Sequence, residues 1–111
     1  MSEVDSTVRL LRLADRLREP AIASAIDTLQ LPEGSHGLDA GCGIGSHAEL
    51  LVRATTPGGH VTGLDSSLDH LAVAVEAARR CSVSDRVSFR QGDVASLPFD
   101  ADTFDWAWSV D

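Results

Sequence analysis

A glycine-rich turn between an apolar run and a helix start most constrains what this chain can fold into. The stretch LDAGCGIGSH, from Leu38 to His47, places glycines at alternate positions, Gly41, Gly43 and Gly45. Glycine adopts backbone conformations that other residues avoid, and its lack of a Cβ lets a ligand approach the backbone. Free N–H groups at the start of the following helix can receive an anionic group. The turn therefore predicts a ligand-binding strand–turn–helix unit, with the ligand still open.

The residues that follow alternate between strand and helix patterns. The predicted strands are 37–40, 60–64, 86–90 and 104–110, and the predicted helices are 46–54 and 66–80. Ser46 followed by Glu49, and Ser66 followed by Asp69, are capping patterns that predict the two helix starts. Strand–helix alternation with short links gives parallel strands and right-handed crossovers, and such a sheet needs cover on both faces. The fold class is therefore α/β, with a parallel sheet.

The N-terminal third shows helical spacing of apolar residues instead of this strand–helix alternation. Apolar residues at helical spacing predict a helix over 6–18 with Ser6 as its N-cap, and Pro20 is placed to open a second helix. These features predict a helical appendage of residues 1–33 ahead of the α/β region.

The α/β region, residues 34–111, ends directly after the fourth strand. We therefore expect a half-domain truncated after that strand, whose unpaired edge is available for self-association. Trp106 and Trp108 of this strand are expected to lack a covering helix.

Composition excludes several classes of partner. The net charge of −8 and the pI near 4.7 argue against nucleic acid and anionic membranes, because both would repel the chain. No apolar run is long enough to span a bilayer or to form a signal peptide, which favours a cytoplasmic protein. Cys42 and Cys81 form no CxxC motif, and no histidines have metal-ligand spacing, so no metal site is predicted.

Three acidic residues are placed to act together. Asp39 stands at the end of the first strand, Asp65 follows the second, and Asp93 follows the third. The carboxyl ends of parallel strands share one edge of the sheet, which is where such folds bind ligands. An acid after the second strand is typical of a residue that accepts hydrogen bonds from a ribose diol.

A dinucleotide such as NAD(P) is the competing interpretation of the turn. Its fingerprint is G-x-G-x-x-G, whereas this turn is G-x-G-x-G and has Asp39 two residues before the first glycine. A carboxylate beside a pyrophosphate would be repulsive, and it suits a ligand with cationic charge near the turn instead. The phosphate-binding pattern GxxxxGK[ST] is absent from this lysine-free chain.

Three segments resemble the class I S-adenosylmethionine-dependent methyltransferases, in particular the group of UbiE-type and related small-molecule enzymes. LDAGCGIG is similar to their first motif, GLDSS to the acidic end of their second strand, and QGDVASLPFDADTFDWAWS to the segment joining their third and fourth strands. The resemblance covers residues 34–111. It implies a Rossmann-like three-layer fold with strand order 3-2-1-4, S-adenosylmethionine as cofactor, and methyl transfer to a small-molecule acceptor by in-line displacement.

The resemblance also implies roles for individual residues. Asp39 would face the ammonium side of the cofactor, Asp65 would accept the ribose hydroxyls, and Asp93 would meet the adenine amino group. The whole implied cofactor-binding set is Asp39, Gly41, Cys42, Gly43, Gly45, Asp65, Ser66, Asp93, Val94 and Ser109.

Some positions stay open. His70 stands where the family often has an apolar residue near adenine, so it either stacks on the ring or faces solvent. Residues that orient the acceptor follow the fourth strand in the family, so no catalytic residue is assigned. Two alternatives remain, a non-catalytic module that binds S-adenosylmethionine or another nucleotide, and an NAD(P)-binding domain.

Overall fold

The computed structural model describes residues 2–100 and 102–110. Its elements, in chain order, are α1 (Glu3–Leu29), β1 (His36–Ala40), α2 (Ser46–Ala54), β2 (His60–Asp65), α3 (Leu68–Arg80), β3 (Val87–Gln91) and β4 (Trp106–Trp108). All neighbouring strands pair in parallel, and their order in the sheet is β3-β2-β1-β4. The predicted α/β class and the strand order 3-2-1-4 are confirmed.

One helix, rather than two, precedes the sheet. The helix α1 begins directly after Ser2, earlier than predicted, because the Ser2 Oγ accepts from the Asp5 N–H at 3.0 Å as part of a capping box. Pro20 lies inside this helix, so the predicted break there is wrong. Proline removes one backbone hydrogen bond, and burial of Ile26 (3% exposed) anchors the second half of α1 to the core.

One face of the sheet carries the main apolar core. Val61 and Val87 are register partners on β2 and β3, and both are buried against Leu51 of α2 and Ala78 of α3. Ile26 brings α1 into the same cluster. The three helices therefore cover a single face. The predicted division into residues 1–33 and 34–111 stays a prediction.

The other face is covered by the described part of the connection between β3 and β4, residues 92–100 and 102–105. Phe99 and Phe104 meet edge to face with their ring centroids 4.9 Å apart, and Phe104 meets the His36 ring in the same way at 4.8 Å. Leu64 is fully buried. In the described residues this layer is a loop, and Pro98 disfavours a helix there.

Both predicted capping serines are wrong, although the helices themselves are found. The N-cap of α2 is Gly45, which has no side chain to cap with, and the Ser46 Oγ donates to Asp15 of α1 at 2.6 Å instead. The N-cap of α3 is Ser67, whose Oγ accepts from the His70 N–H. Tertiary contacts and the shape of the preceding turn decided these ends.

The tryptophans of β4 are half-buried, and Trp108 contacts helix α2, whereas rings without a covering helix were predicted. The Trp106 indole lies over Gly37 and donates from Nε1 to the Ser35 Oγ at 2.8 Å. The Trp108 Nε1 donates to His47 of α2 at 3.3 Å. Both rings therefore pack on the helix-covered face. The self-association expected at the outer edge of β4 stays a prediction.

No helix within residues 2–100 and 102–110 combines the length and the apolar composition that crossing a bilayer requires.

Candidate functional site

The predicted site residues converge on the carboxyl edge of the sheet. Asp39 lies near the end of β1, Asp65 ends β2, Asp93 follows β3 by two residues, and Ser109 follows β4 directly. All four strands are parallel, so these positions share one edge. The expected convergence of the three acids is confirmed at the level of the strand ends.

The glycine turn is held by the neighbouring strand. The N–H groups of Gly41 and Cys42 both donate to the carbonyl of Leu64, at 2.8 and 2.9 Å. Gly41 and Gly43 have positive φ angles of 76° and 54°, and a Cβ built on either would meet no atom within 4 Å. At these two glycines the backbone therefore faces open space, as close approach of a ligand requires.

Gly45 has a different role from the other two glycines. A Cβ at this position would lie 2.9 Å from the Ala74 Cβ and 3.3 Å from its Cα, on helix α3. Gly45 is also buried and has a φ of 84°. It therefore lets α2 begin close to α3, and its contact with a cofactor stays a prediction.

This difference predicts the effect of alanine at each position. Gly45→Ala should lower the free energy of unfolding by about 1–3 kcal/mol, because the new methyl group meets backbone in addition to the strained φ. Gly41→Ala carries comparable φ strain without the clash and is the matched control. Urea denaturation of both variants measures the difference. Equal losses would contradict the packing role of Gly45.

Asp65 joins the turn to the start of α3. Its Oδ1 accepts from the Gly43 N–H at 3.2 Å, and its Oδ2 accepts from the Ser67 N–H at 3.0 Å. The His70 Nδ1 lies 3.9 Å from the same Oδ2. The two backbone hydrogen bonds fix the Asp65 carboxylate in place. Each of its oxygens has a second lone pair, so the carboxylate can still accept further hydrogen bonds.

Asp39 is the most unusual group at this edge. Its residue is 2% exposed, and its Oδ2 is the one buried side-chain oxygen or nitrogen in the described residues that has no hydrogen-bond partner. Burial, and then the negative charge of Asp65, raise the pKa of Asp39 to about 7. A buried carboxylate without a partner is costly. The site therefore favours a ligand that brings a donor or a positive charge to Asp39.

Cys42 contributes to packing through its thiol and to the turn through its backbone N–H. Its residue is buried, and a Cβ on Gly63 would lie 2.9 Å from the Cys42 Sγ, so the thiol occupies the space beside this glycine. Burial, followed by the charges of Asp39 and Asp65, raises the pKa of Cys42 to about 12. The thiol is therefore protonated at neutral pH and is a poor nucleophile.

The remaining predicted residues form an exposed rim. Ser66 is exposed, and its carbonyl accepts from Gln91 Nε2 at 3.2 Å. Asp93 is exposed and its Oδ1 accepts from the Ala95 N–H, which shapes the turn after β3. Val94 is 52% exposed, an apolar surface beside that turn. Their contact with a cofactor stays a prediction.

Ser67 is a residue that the sequence analysis missed. It caps α3 through its Oγ and holds Asp65 through its N–H. The Ser-Ser pair after Asp65 was the available signal, but it left two candidate caps one residue apart. Only the turn geometry distinguishes them.

In the part of the chain that the structure describes, no group of three or more His, Cys, Asp or Glu side chains is placed to hold a metal ion.

A parallel α/β sheet with a glycine turn and acids at its carboxyl edge defines the class of nucleotide-cofactor-binding domains. A sequence model described as a methyltransferase domain matches residues 38–111. The chain belongs to this family of S-adenosylmethionine-dependent methyltransferases.

Individual relatives support this membership. The erythromycin 3''-O-methyltransferase of Saccharopolyspora erythraea is 34% identical over 99 residues, which are 89% of this chain and 29% of that protein. The structure of the [4+2]-cyclase SpnF is 34% identical with a TM-score of 0.70, covering 86% of this chain and 33% of that one. The structure of a geranyl diphosphate methyltransferase in complex with SAM is 25% identical with a TM-score of 0.74. The match covers 92% of this chain and 41% of that one. The chain thus spans about a third of the length of the curated relatives it matches.

Proposed function

We propose that the carboxyl edge of the sheet binds S-adenosylmethionine, and that the protein transfers the cofactor's methyl group to a small-molecule acceptor. The observation that carries this proposal is the buried, unpartnered oxygen of Asp39 beside the open backbone of Gly41 and Gly43. S-Adenosylmethionine carries an ammonium group and a sulfonium, so it supplies the donor and the positive charge that this carboxyl lacks.

The residues at the edge fit the parts of this cofactor. Asp39 would hold the ammonium side, directly or through water, and Gly41 and Gly43 would let the methionine and ribose lie against the turn. Asp65, already fixed by two backbone N–H groups, would accept from the ribose hydroxyls with its remaining lone pairs. Asp93 and Val94 would border the adenine at the exposed rim.

His70 and Ser109 stand at the two sides of this arrangement. The His70 ring is close to Asp65 and half-buried, which favours a place beside the bound nucleoside over a fully solvated one. Ser109 is exposed at the end of β4, where its backbone would lie toward the methionyl part.

The chemistry depends on alignment more than on acid–base groups. Bound S-adenosylmethionine supplies an electrophilic methyl on its sulfonium, and in-line displacement by an acceptor transfers it. The residues of this chain bind and orient the methyl donor, and such positioning supplies most of the rate enhancement in a step of this kind. A general base is needed only where the acceptor must lose a proton.

Small molecules are the proposed class of acceptor. The name of the erythromycin 3''-O-methyltransferase places a small-molecule acceptor among the relatives, as does that of the geranyl diphosphate methyltransferase. The net charge of −8 also disfavours nucleic acid as the acceptor.

A second candidate function is a domain that binds the cofactor without transferring its methyl group. The likeness to SpnF, which is named as a cyclase, favours this alternative. NAD(P) binding is less favoured, because its pyrophosphate would lie near the buried carboxyl of Asp39.

Isothermal titration of the chain with S-adenosylmethionine, S-adenosylhomocysteine and NAD⁺ tests the proposed cofactor. Both adenosyl ligands should bind, and each should bind more tightly than NAD⁺. Tighter binding of NAD⁺ would overturn the proposal. Incubation with methyl-labelled S-adenosylmethionine and candidate acceptors then separates transfer from binding alone.

A further inference from the structure

A second cavity lies on the helix-covered face, separate from the open side of the glycine turn. It has a volume of about 360 Å³ and lies among α1, α2, α3 and β3. Pockets that bind small organic molecules begin at about this size. None of Asp39, Gly41, Asp65 and Asp93, which define the carboxyl edge, lines this cavity.

Small side chains on facing helices leave this space open. Ala48 of α2 and Ala77 of α3 line it, and its floor includes Ile44, Val87 and Phe89. Larger residues at the two alanine positions would fill the gap between the helices. The interior therefore offers apolar contact to the body of a ligand.

Two arginines of α1 line the same cavity at its exposed side. Among the described residues, neither Arg12 nor Arg16 has a carboxylate within 4.0 Å, although both lie on the wall of the cavity. Both residues are exposed. Guanidinium groups bind carboxylates well because their N–H donors match the two oxygens.

The acidic residues that also line the cavity are mostly engaged elsewhere. Asp15 pairs with Arg18 at 3.6 Å and accepts from Ser46, and Glu49 pairs with Arg53 at 2.9 Å. Glu19 is the remaining carboxylate on the wall. The paired acids leave Arg12 and Arg16 as the groups available to an anion.

We propose that the cavity among α1, α2 and α3 binds a small amphipathic carboxylate, with its apolar body against Ala48, Ala77 and Phe89 and its carboxylate at Arg12 and Arg16. This site is distinct from the proposed cofactor edge and does not depend on it. Ile44 and Gly45 line the cavity and belong to the glycine turn, so the two sites share one wall.

Octanoate is a suitable probe, with 1-octanol as its uncharged counterpart. The Trp108 Nε1 donates to His47, and His47 lines the cavity, so tryptophan emission reports occupancy. Octanoate should change this emission in a saturable way and bind more tightly than 1-octanol. Saturating S-adenosylhomocysteine should leave the octanoate titration saturable. Calorimetry gives the same affinities independently of fluorescence.

Variants assign the binding to this cavity. Ala77→Leu should remove octanoate binding by filling the space, and circular dichroism checks that the variant is folded. Arg12→Gln and Arg16→Gln should each weaken octanoate binding by up to about fivefold, the upper end of the range for an exposed ion pair. Arg9→Gln, on the same helix but off this cavity, is the matched control and should bind like the parent chain.

Three results would overturn the proposal. They are equal binding of octanoate and 1-octanol, unchanged octanoate binding in folded Ala77→Leu, and displacement of octanoate by S-adenosylhomocysteine. If Ala77→Leu does not fold, the double variant Arg12→Gln/Arg16→Gln decides, because both positions are exposed. Octanoate affinity unchanged in that double variant would equally overturn the assignment.

Discussion

Replacing Asp39 with Asn should raise the free energy of unfolding above about pH 7 by up to about 4 kcal/mol, since each unit of pKa shift corresponds to about 1.4 kcal/mol. Burial and the charge of Asp65 raise the pKa of Asp39 from 3.8 to about 7 in the folded chain. Asparagine keeps the shape of the side chain and removes the need to ionise a buried group. For a domain of this size, the change is a large part of the total stability.

The sign of the pH dependence follows from proton binding. Between about pH 4 and about pH 7, the folded chain holds a proton on Asp39 that the unfolded chain has lost. The contribution of Asp39 to stability therefore falls as the pH rises through this window, and the full cost is present above it. The Asp39→Asn variant should lose this dependence.

Urea denaturation at about pH 5 and about pH 8 measures both effects. Asp85→Asn is the matched control, because Asp85 is an exposed acid just before β3. It therefore lies at the amino ends of the strands, away from Asp39. Its difference in stability between the two pH values should follow that of the parent chain. If Asp39→Asn also follows the parent chain, the raised pKa of Asp39 is wrong.

Binding of the proposed cofactor should also change the protonation of Asp39. A cationic ligand near Asp39 favours the ionised carboxylate, so binding below about pH 7 should release a proton. Affinity for S-adenosylmethionine should therefore rise with pH up to about 7. Calorimetry in buffers of different ionisation enthalpy detects the released proton, which Asp39→Asn should abolish.

Replacing Asp65 with Ala should weaken the binding of S-adenosylhomocysteine by about 1–3 kcal/mol, or about 5- to 150-fold. The variant leaves the ribose hydroxyls without their acceptor. It also frees the Gly43 and Ser67 N–H groups that the carboxylate now holds, so the turn loses an anchor. Both effects act in the same direction on affinity.

A conservative variant separates the two contributions. Asp65→Asn keeps one acceptor oxygen and the side-chain volume, so it should lose less affinity than Asp65→Ala. Asp85→Ala is the control for removal of an acid away from the site. Calorimetric titration of the three variants measures these differences. Unchanged affinity in Asp65→Ala would remove Asp65 from the binding site.

Several features were predictable because they depend on local sequence. The apolar runs at 37–40 and 60–64 predicted β1 and β2 to within one residue at each end. The helix over 46–54 was also correct in both of its bounds, although its cap was not. The positions of the acids after the strands then predicted that they would share one edge of the sheet.

Other features depended on contacts between distant residues. Pro20 could not be placed inside a helix from sequence, because the burial of Ile26 against α2 offsets the lost hydrogen bond. The packing of Trp106 was equally unpredictable from sequence. Its indole packs on Gly37 and donates a hydrogen bond to Ser35, which is 71 residues away.

The sequence by itself determined the class of fold, the order of its elements and the acids at the carboxyl edge, because periodicity and strand ends are local properties. Only the tertiary structure decided which glycines are packed against other residues and which polar groups lack a hydrogen-bond partner. It separated Gly45, which packs on Ala74, from Gly41 and Gly43, which face open space. It also left the oxygen of Asp39 buried without a partner, and burial is a property that only the packed chain has.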